Sequence, residues 1–389
     1  MLTPTLNRVA RYRVNPKATL RSFIPLPLEH AGLSSYIDPI LIGITLPVTG
    51  VGAENGKLTA NGANLALDEV NKEGVLGRPL QIVAEDDQTS NPGSVLAFSR
   101  LARRPEIVAF LGSVRSTQVN SMAPDVLKTG KPMMFGGTDP SLTRAGNRWL
   151  FRCRPNDSYS AKVIAEYGTK DLGKQKWAVV HTTDTFGSNG SKALEAELKA
   201  RGVTPLLMQG YTNQATDFSA VVLAVRQSSA DVLATYFSLD TDLGIFARQL
   251  RQLGVTIPWI GSAAIANVTA RNLAGPALHG TYGVADFAVE ANPVSKSFAE
   301  RYQAAYKVMP DLTAAWVYDA VHLLARAIRD ANSTEPEAIR SAILAIRGYL
   351  GAEGEYNFDA NGDGLHGYNI VKNEGGKLVY VRRVDFPTE

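Results

Sequence analysis

Three loops rich in small polar residues have the composition of a ligand-binding site. They cover residues 46–50 with an extension to residues 55–56, residues 112–118, and residues 136–140. Each loop follows a short apolar or β-branched run that predicts a strand, and the second loop leads directly into a predicted helix. Because open α/β sheets bind ligands at the carboxyl ends of their strands, these loops are the candidate site.

The loop at residues 112–118 has the chemistry to hold an anion. The free backbone N–H groups and the dipole at the start of a helix favour negative charge. Ser113, Ser116 and Thr117 add hydroxyl donors, and the Arg115 guanidinium can form two hydrogen bonds with a carboxylate. The alternative is that the hydroxyl residues only cap the helix. The two glycines at 136–137 allow a close backbone approach to a ligand, or simply form a turn.

Sequence motifs of catalysis and of metal binding are absent. None of the five histidines lies in an HExxH or His-x-His spacing. The chain contains no GxSxG nucleophile motif and no GxxxxGKS/T phosphate loop, and no GxGxxG follows the first predicted strand. We therefore expect a protein that is not an enzyme and that holds neither a cofactor nor a metal.

Two acidic segments have a simpler explanation than chemistry. Asp86 and Asp87 end a predicted strand, and we expect a solvated loop there rather than a catalytic pair. Residues 359–364 read DANGDG and resemble the start of a calcium-binding loop, but position 370, where that loop requires glutamate, is Ile370. We therefore predict a tight turn between two strands at this segment.

Strand-like and helix-like segments alternate from residue 40 onward. The predicted strands are 40–44, 80–84, 107–111, 132–135, 177–180, 206–208, 231–237, 257–260 and 281–285, and the predicted helices are 63–70, 95–101, 119–127, 159–167, 192–200, 218–225 and 243–253. This alternation predicts parallel sheets with helices on both faces, and so many strands exceed one comfortable sheet. We therefore predict an α/β protein with two doubly wound, Rossmann-like lobes. Three later helices, at 298–306, 314–331 and 336–347, need not belong to the second lobe, and strand-like runs at 368–371 and 378–381 end the chain.

Composition agrees with a globular protein of two-lobe size. The chain has 389 residues, of which 45% are hydrophobic and 20% charged. Its net charge of +3 argues against a dedicated nucleic-acid binder. The single cysteine, Cys153, allows no intramolecular disulfide, and we expect it to be a buried small hydrophobe. No segment approaches the roughly 18 apolar residues of a membrane span, so we expect no direct membrane insertion.

The amino-terminal segment gives an ambiguous signal for export. Residues 1–37 carry five basic residues before the first acid, Glu29, but lack the apolar run of a secretory signal peptide. We interpret this segment as a disordered or loosely attached leader. It is compatible with a mis-assigned start that cuts into or misses a signal, and also with a cytoplasmic protein.

An ordered set of short motifs resembles one known family. The motifs are IGITLPVTG at 42–50, NKEGVLGRPL at 71–80, STQ at 116–118, TDPSLT at 138–143, FRCRPND at 151–157, DTFG at 184–187, DFS at 217–219 and ANV at 266–268. Together they resemble the type I periplasmic solute-binding proteins of ABC importers, in the leucine/isoleucine/valine-binding group. Each motif is weak alone, but their order over roughly residues 40–385 is specific.

The resemblance implies two Rossmann-like lobes joined by three crossovers, with the ligand in the cleft between them. By analogy the first lobe comprises residues 38–155 and 286–356, and the second comprises 156–285 and 357–389. The resemblance further implies a periplasmic location, permease subunits of an ABC transporter as partners, and a small amino acid or carboxylate as ligand.

Ligand-binding positions carry over from the family to ten residues of this chain. They are Asn55, Ser113, Val114, Arg115, Gly136, Thr138, Phe186, Leu239, Asp240 and Ala263. Among these, the carboxylate-holding loop falls on 113–115, and the loop that supplies a carbonyl and a threonine falls on Gly136 and Thr138.

One departure from the family puts the ligand's amine in question. The family's amine-binding glutamate would follow the predicted strand 257–260, but residues 261–264 read GSAA and contain no acid. An unpaired buried ammonium costs several kcal/mol, so an aromatic or aliphatic acid without an amine competes with an amino acid. Asp240 or Asp139 could instead supply the missing carboxylate. A cytoplasmic sensor of an amide or acid on the same fold is the alternative to an importer receptor.

Overall fold

A five-stranded parallel sheet forms the core of the first lobe in the computed structural model, which describes residues 38–388. Its strands are β1 (Ile40–Leu46), β2 (Leu80–Asp86), β3 (Ile107–Leu111), β4 (Met133–Phe135) and β5 (Leu150–Arg152), in the order β2-β1-β3-β4-β5. The helices between them are α1 (Ala53–Val70), α2 (Asn91–Ala102), α3 (Ser116–Thr129) and α4 (Ser141–Arg144). Ile42 packs in one apolar cluster and Leu41 against a second cluster on the opposite face, as a doubly covered sheet requires.

A seven-stranded sheet forms the core of the second lobe. Its parallel strands are β6 (Trp177–Thr182), β7 (Leu207–Tyr211), β8 (Val232–Tyr236), β9 (Trp259–Gly261) and β10 (Tyr282–Ala285). Its helices are α5 (Asp157–Glu166), α6 (Thr185–Ala200), α7 (Ser219–Gln227), α8 (Asp240–Gln252) and α9 (Val268–Ala274). The two predicted lobes and the α/β class are therefore confirmed.

The remaining elements divide between the two lobes. Helices α10 (Pro293–Tyr306), α11 (Leu312–Ala331) and α12 (Pro336–Leu344) pack in the apolar cluster of the first sheet, beside a short hairpin of β11 (Tyr349–Leu350) and β12 (Glu355–Tyr356). A Cβ atom at Gly62 of α1 would lie 2.3 Å from the Ala314 carbonyl oxygen, so glycine allows α1 and α11 to touch. The last strands, β13 (Gly367–Glu374) and β14 (Lys377–Asp385), join the second sheet antiparallel to β10 and to each other. The parallel sheet predicted from the alternation therefore carries an antiparallel edge, formed by the two terminal strands whose direction was not predicted.

Sequence periodicity missed the starts of some helices. Helix α6 begins at Thr185, seven residues before the predicted start, because the Asp184 side chain accepts a hydrogen bond from the Gly187 backbone N–H and caps its first turn. This polar, glycine-containing turn has no apolar stripe for periodicity to detect. The short elements α4, α9, β5, β11 and β12 were missed because they are too brief to show a period.

The lobe boundaries stay a prediction, but the packing favours a small change in one of them. The chain passes between the sheets after β5, after β10 and before β13. Phe358 and Leu365 belong to the apolar cluster of the first lobe. This packing favours a third crossing near residue 366 rather than 357. The leader predicted for residues 1–37 lies outside the described residues.

A buried ion pair joins two of these crossings. Arg152 at the end of β5 donates through Nε to Asp363 Oδ1 at 2.8 Å, and both side chains are fully buried. Asp363 also accepts from Asn156 at 2.8 Å and from Arg144 at 2.9 Å. Burial raises the pKa of Asp363, but Arg152 and these hydrogen bonds outweigh it and hold the pKa below its usual range. The predicted tight turn at 359–364 is present. Its second aspartate, Asp363, is the ion-pair partner of Arg152.

Replacing Asp363 tests how much the fold depends on this ion pair. Asp363→Asn leaves the Arg152 guanidinium buried without its counter-charge, so we expect the free energy of unfolding to fall by about 3–5 kcal/mol. The measurement is urea denaturation. Glu337→Gln, which removes an exposed partner of Arg148 and Arg340, is the control and should cost under about 1 kcal/mol. An equal loss of unfolding free energy in the two variants would show that the buried ion pair contributes no more than the exposed one.

Candidate functional site

The carboxyl ends of the two sheets face each other, and the loops that follow their strands are in contact. Arg115 Nη1 in the first lobe donates to the Ser238 carbonyl oxygen in the second lobe at 2.5 Å. The Val268 backbone N–H donates to Asp311 Oδ2 across the same gap at 2.9 Å. Thr269 Oγ1 lies 3.4 Å from Asn55 Oδ1. The structure therefore has its lobes closed on each other.

In the loop after β3, the serine hydroxyls bind protein groups of the first lobe. Ser113 Oγ donates to Gln118 Oε1 and accepts from the Arg115 backbone N–H at 3.0 Å. Ser116 Oγ accepts from the backbone N–H groups of Thr138 and Asp139, both at 3.1 Å. Neither hydroxyl caps α3, whose N-cap residue is Arg115 and has no side-chain cap. The feature that remains for an anion is the start of helix α3 itself, with its unpaired first-turn N–H groups.

Arg115 lies between the lobes, where its charge faces several acids. Its Nε atom is buried and has no hydrogen-bond partner in the described part of the chain. Burial lowers the pKa of Arg115, while Asp240 and then Asp87 raise it. The predicted contact between Arg115 and a ligand carboxylate stays a prediction, and the bond to Ser238 gives Arg115 a second role in holding the lobes together.

The loop after β4 lies against a tryptophan that sequence reasoning did not single out. A Cβ atom at Gly136 would lie 3.1 Å from the Trp316 ring and 3.2 Å from Val114 Cα, so any larger residue would press against both neighbours. Trp316 is 1% exposed, and its Nε1 has no hydrogen-bond partner among residues 38–388. In the sequence it is one more apolar residue of a buried helix, α11. Only the three-dimensional contact places it beside Gly136.

Thr138 connects this loop to the second lobe. Its hydroxyl donates to Asp157 Oδ2 at 2.7 Å, which leaves the Thr138 oxygen free to accept a hydrogen bond from a ligand. Burial raises the pKa of Asp157 to about 7. Asp157 also accepts from Ser160, whose hydroxyl lies 3.0 Å from Tyr236 Oη. The Tyr236 ring in turn packs against Phe186, with centroids 5.8 Å apart.

Two loops of the second lobe contribute the opposite wall, one after β8 and one after β9. Leu239 is the buried N-cap of α8 and Asp240 is its buried first residue, and Asn267 Nδ2 donates to Asp240 Oδ1 at 2.9 Å. Ala263, in the loop after β9, packs in the apolar cluster of the first lobe, so this loop closes directly onto that lobe. Ser238, Ser262 and Asn267 are polar residues of this wall that the predicted set lacks. Asn267 lies in the ANV motif at 266–268, so the sequence contained a signal that could have marked it as a site residue.

The acids at the end of β2 are not solvated, so that expectation is wrong. Asp86 is 8% exposed and Asp87 is fully buried. Asp86 accepts from the backbone N–H groups of Val48 and Thr49 and from the Thr49 hydroxyl at 2.6 Å. The pair therefore shapes the 46–50 loop. Cys153, in contrast, is free and buried as predicted.

Other kinds of site find little support in the part of the chain that the structure describes. It contains no group of three or more His, Cys, Asp or Glu side chains placed to hold a metal ion. Within residues 38–388, none of the helices combines the length and the apolar character that a membrane span requires. A surface depression between α2 and α3, lined by Pro92 and Leu96 among others, lies apart from the interlobe residues.

Comparison with known proteins agrees with this architecture. The family model described as "Periplasmic binding protein" matches residues 39–377. The Leu/Ile/Val-binding protein BraC3 of Rhizobium johnstonii is 28% identical over 91% of this chain and 95% of its own length. The leucine-binding protein LivK of Thermotoga maritima superposes with a TM-score of 0.84 at 24% identity, over 89% of this chain and 99% of that chain. LivJ of Streptococcus pneumoniae, solved with isoleucine, gives 0.83 at 23% identity, over 90% and 100%.

The two-lobed fold with its interlobe site defines a class, the type I solute-binding proteins. The chain belongs to the periplasmic binding protein family, and the predicted leucine/isoleucine/valine-binding group is confirmed. Members of this family are solute-binding proteins rather than enzymes. The ten predicted ligand residues stay predictions.

The contribution of Arg115 can be measured with a matched pair of ligands. We expect Arg115→Ala to weaken the binding of a carboxylate ligand tenfold or more, on the order of 1.4 kcal/mol, because the carboxylate loses its charged donor. The amide of the same ligand, which lacks the negative charge, should be affected much less. Both affinities are measured by calorimetry, and Arg103→Ala, at an exposed position, is the control variant. Equal losses for the acid and its amide would show that Arg115 acts only in holding the lobes together.

Proposed function

We propose that the protein is the solute-binding receptor of an ABC importer of the branched-chain amino acid type. Its ligand is an amino acid or a related small carboxylate, held between the lobes. The observation that carries this proposal is the meeting of the α3 N-terminus and Arg115 with polar groups of the second lobe. The proposal is supported by a relative named as a Leu/Ile/Val-binding protein, which is similar over nearly the whole chain.

Ligand binding acts through closure of the two lobes. A ligand shifts the balance between open and closed forms only as far as it contacts both walls in the closed form. Asn55, Val114 and Thr138 belong to the first wall, and Phe186, Leu239 and Ala263 to the second. The lobe–lobe hydrogen bonds at Arg115 and Asp311 then stabilise the closed form that a permease recognises.

The partners and the location follow from the same proposal. A receptor of this class delivers its ligand to the permease subunits of an ABC transporter, so we propose that the protein works in the periplasm. Expression of the gene from its own upstream region, followed by cell fractionation, tests the location. Recovery in the periplasmic fraction is expected, and recovery with cytoplasmic markers alone would contradict export.

A thermal-shift panel tests the ligand class. The panel contains amino acids, aromatic acids, short aliphatic acids and the corresponding amides. A ligand present at about 100 times its Kd stabilises the folded protein by ~2.7 kcal/mol, so at least one carboxylate should raise the melting temperature clearly. A response to uncharged amides alone would refute the proposed anion site.

A further inference from the structure

A fully buried glutamate lies in the turn between β11 and β12. Glu353 is 0% exposed, and neither of its carboxyl oxygens receives a hydrogen bond from a donor group among residues 38–388. The backbone of this turn is fixed, because Asp319 of α11 accepts from the N–H groups of Ala352 at 2.8 Å and Glu353 at 2.9 Å. Buried polar atoms are almost always paired in folded proteins, so two unpaired oxygens on one carboxyl group require a physical explanation.

The side chain of Asp286 supplies that explanation. Asp286 follows β10, is 0% exposed and lies within hydrogen-bonding reach of the Glu353 carboxyl group. Arg154 donates to both carboxylate oxygens of Asp286, through Nε and through Nη2, so Asp286 is the ionised member of this carboxyl pair. An ionised carboxylate is only an acceptor, so a hydrogen bond between two carboxyl groups requires a proton on one of them. In this pair the proton belongs on Glu353.

The buried charges around Glu353 favour its neutral form. Asp286 and Asp319 are acids close to it, and burial raises the pKa of Asp319 to about 6. Arg154 is the buried cation that faces the pair. An ionised Glu353 would add a further negative charge to a desolvated cluster in which Arg154 already pairs with Asp286.

The remaining titratable neighbours of the pair leave this balance unchanged. Arg383 of β14 reaches the turn from the second lobe, but it donates to the Glu353 backbone carbonyl oxygen at 3.3 Å and through Nε to Asp385 at 2.7 Å. Burial raises the pKa of three other neighbours and keeps them neutral: Cys153, Tyr356 and Tyr368. None of these groups therefore supplies a counter-charge to the Glu353 side chain.

The carboxyl pair is connected to all three crossings between the lobes. Arg154 lies on the crossing after β5, and Asp286 lies on the crossing after β10. The Asp286 backbone carbonyl oxygen accepts from Asn369 Nδ2 of β13, beyond the third crossing, at 2.8 Å. Arg154 Nη1 also donates to the Gly136 carbonyl oxygen in the loop after β4, at 3.0 Å. The charge of the pair therefore acts on the arginine that ties the crossings to a loop of the candidate site.

We propose that Glu353 is a neutral acid in the folded protein, that it donates its proton to Asp286, and that this shared proton makes the crossings between the lobes sensitive to pH. In the unfolded chain Glu353 ionises near its ordinary pKa of about 4.3. Burial and the charge of Asp286 raise the pKa of Glu353 well above that value in the folded protein. The folded state then binds more protons than the unfolded state, so stability falls as the pH rises above about 4.3. This inference does not depend on the proposed function or on any ligand.

Thermal unfolding of Glu353→Gln against the unaltered protein tests the inference. Glutamine has the shape of the neutral acid and can donate to Asp286, but it has no proton to lose. Between about pH 4 and about pH 8, the difference in melting temperature should grow by at least about 2 °C in favour of the variant. Glu355→Gln, at an exposed position of the same hairpin, is the control and should follow the unaltered protein. A difference that does not grow with pH would overturn the shared proton.

The other member of the pair provides a second measurement. In Asp286→Asn the remaining acid has Arg154 to itself and no longer needs the proton, so the melting-temperature difference should grow with pH in the same direction. The infrared spectrum of the unaltered protein at neutral pH should contain the C=O band of a protonated carboxylic acid, and this band should be weaker in both variants. Absence of that band from the unaltered protein would overturn the proposal even if neither variant folds.

Discussion

The structure depends on the ion pair of Arg152 and Asp363, because it joins the interlobe connections to the binding loop. Besides Asp363, Arg152 donates to the Gly137 carbonyl oxygen at 2.5 Å and to Thr143 Oγ1 at 3.1 Å. Asp363 in turn receives the Asn156 side chain, and Asn156 caps helix α5. A buried guanidinium without these partners would be very costly, so the site loop, the start of α5 and the third crossing are held in one fixed arrangement. A rigid joint of this kind allows the lobes to move as bodies while the loops at the joint keep their shape.

The binding walls differ from this joint, because several of their buried polar groups have no hydrogen-bond partner among residues 38–388. The hydroxyls of Ser113 and Ser116 brace the loops at the start of α3 through hydrogen bonds within the first lobe. Buried wall atoms without a hydrogen-bond partner among residues 38–388 lie mainly in the second wall, on Ser238, Ser262 and Asn267. Under the proposed function, the first wall supplies a shaped anion site, and the second wall supplies the groups that complete the ligand's hydrogen bonds on closure.

Sequence periodicity and motif order were enough to predict the two-lobed fold and the family, because both are carried by long segments. The antiparallel edge formed by β13 and β14 was not predicted, since strand direction depends on the connection and not on local composition. The site loops could be located from the ends of the predicted strands. The burial and hydrogen bonds of their side chains could not be predicted in this way. Asp86 was placed in solvent because nothing in the sequence shows that it turns back to bind the N–H of Val48. Trp316 and Ser238 join the walls only through contacts between residues far apart in the chain.

The position of Trp316 gives the molecule a natural optical reporter. Of the four tryptophans, Trp177 and Trp259 lie in the apolar clusters of the second lobe, and Trp149 packs at the edge of a first-lobe cluster. Trp316 packs against Gly136, and its indole N–H has no hydrogen-bond partner within the described residues 38–388. A hydrogen bond to that N–H, or a change in its exposure as the lobes separate, shifts indole emission. Opening and closing of this receptor can therefore be followed in solution without attaching any dye.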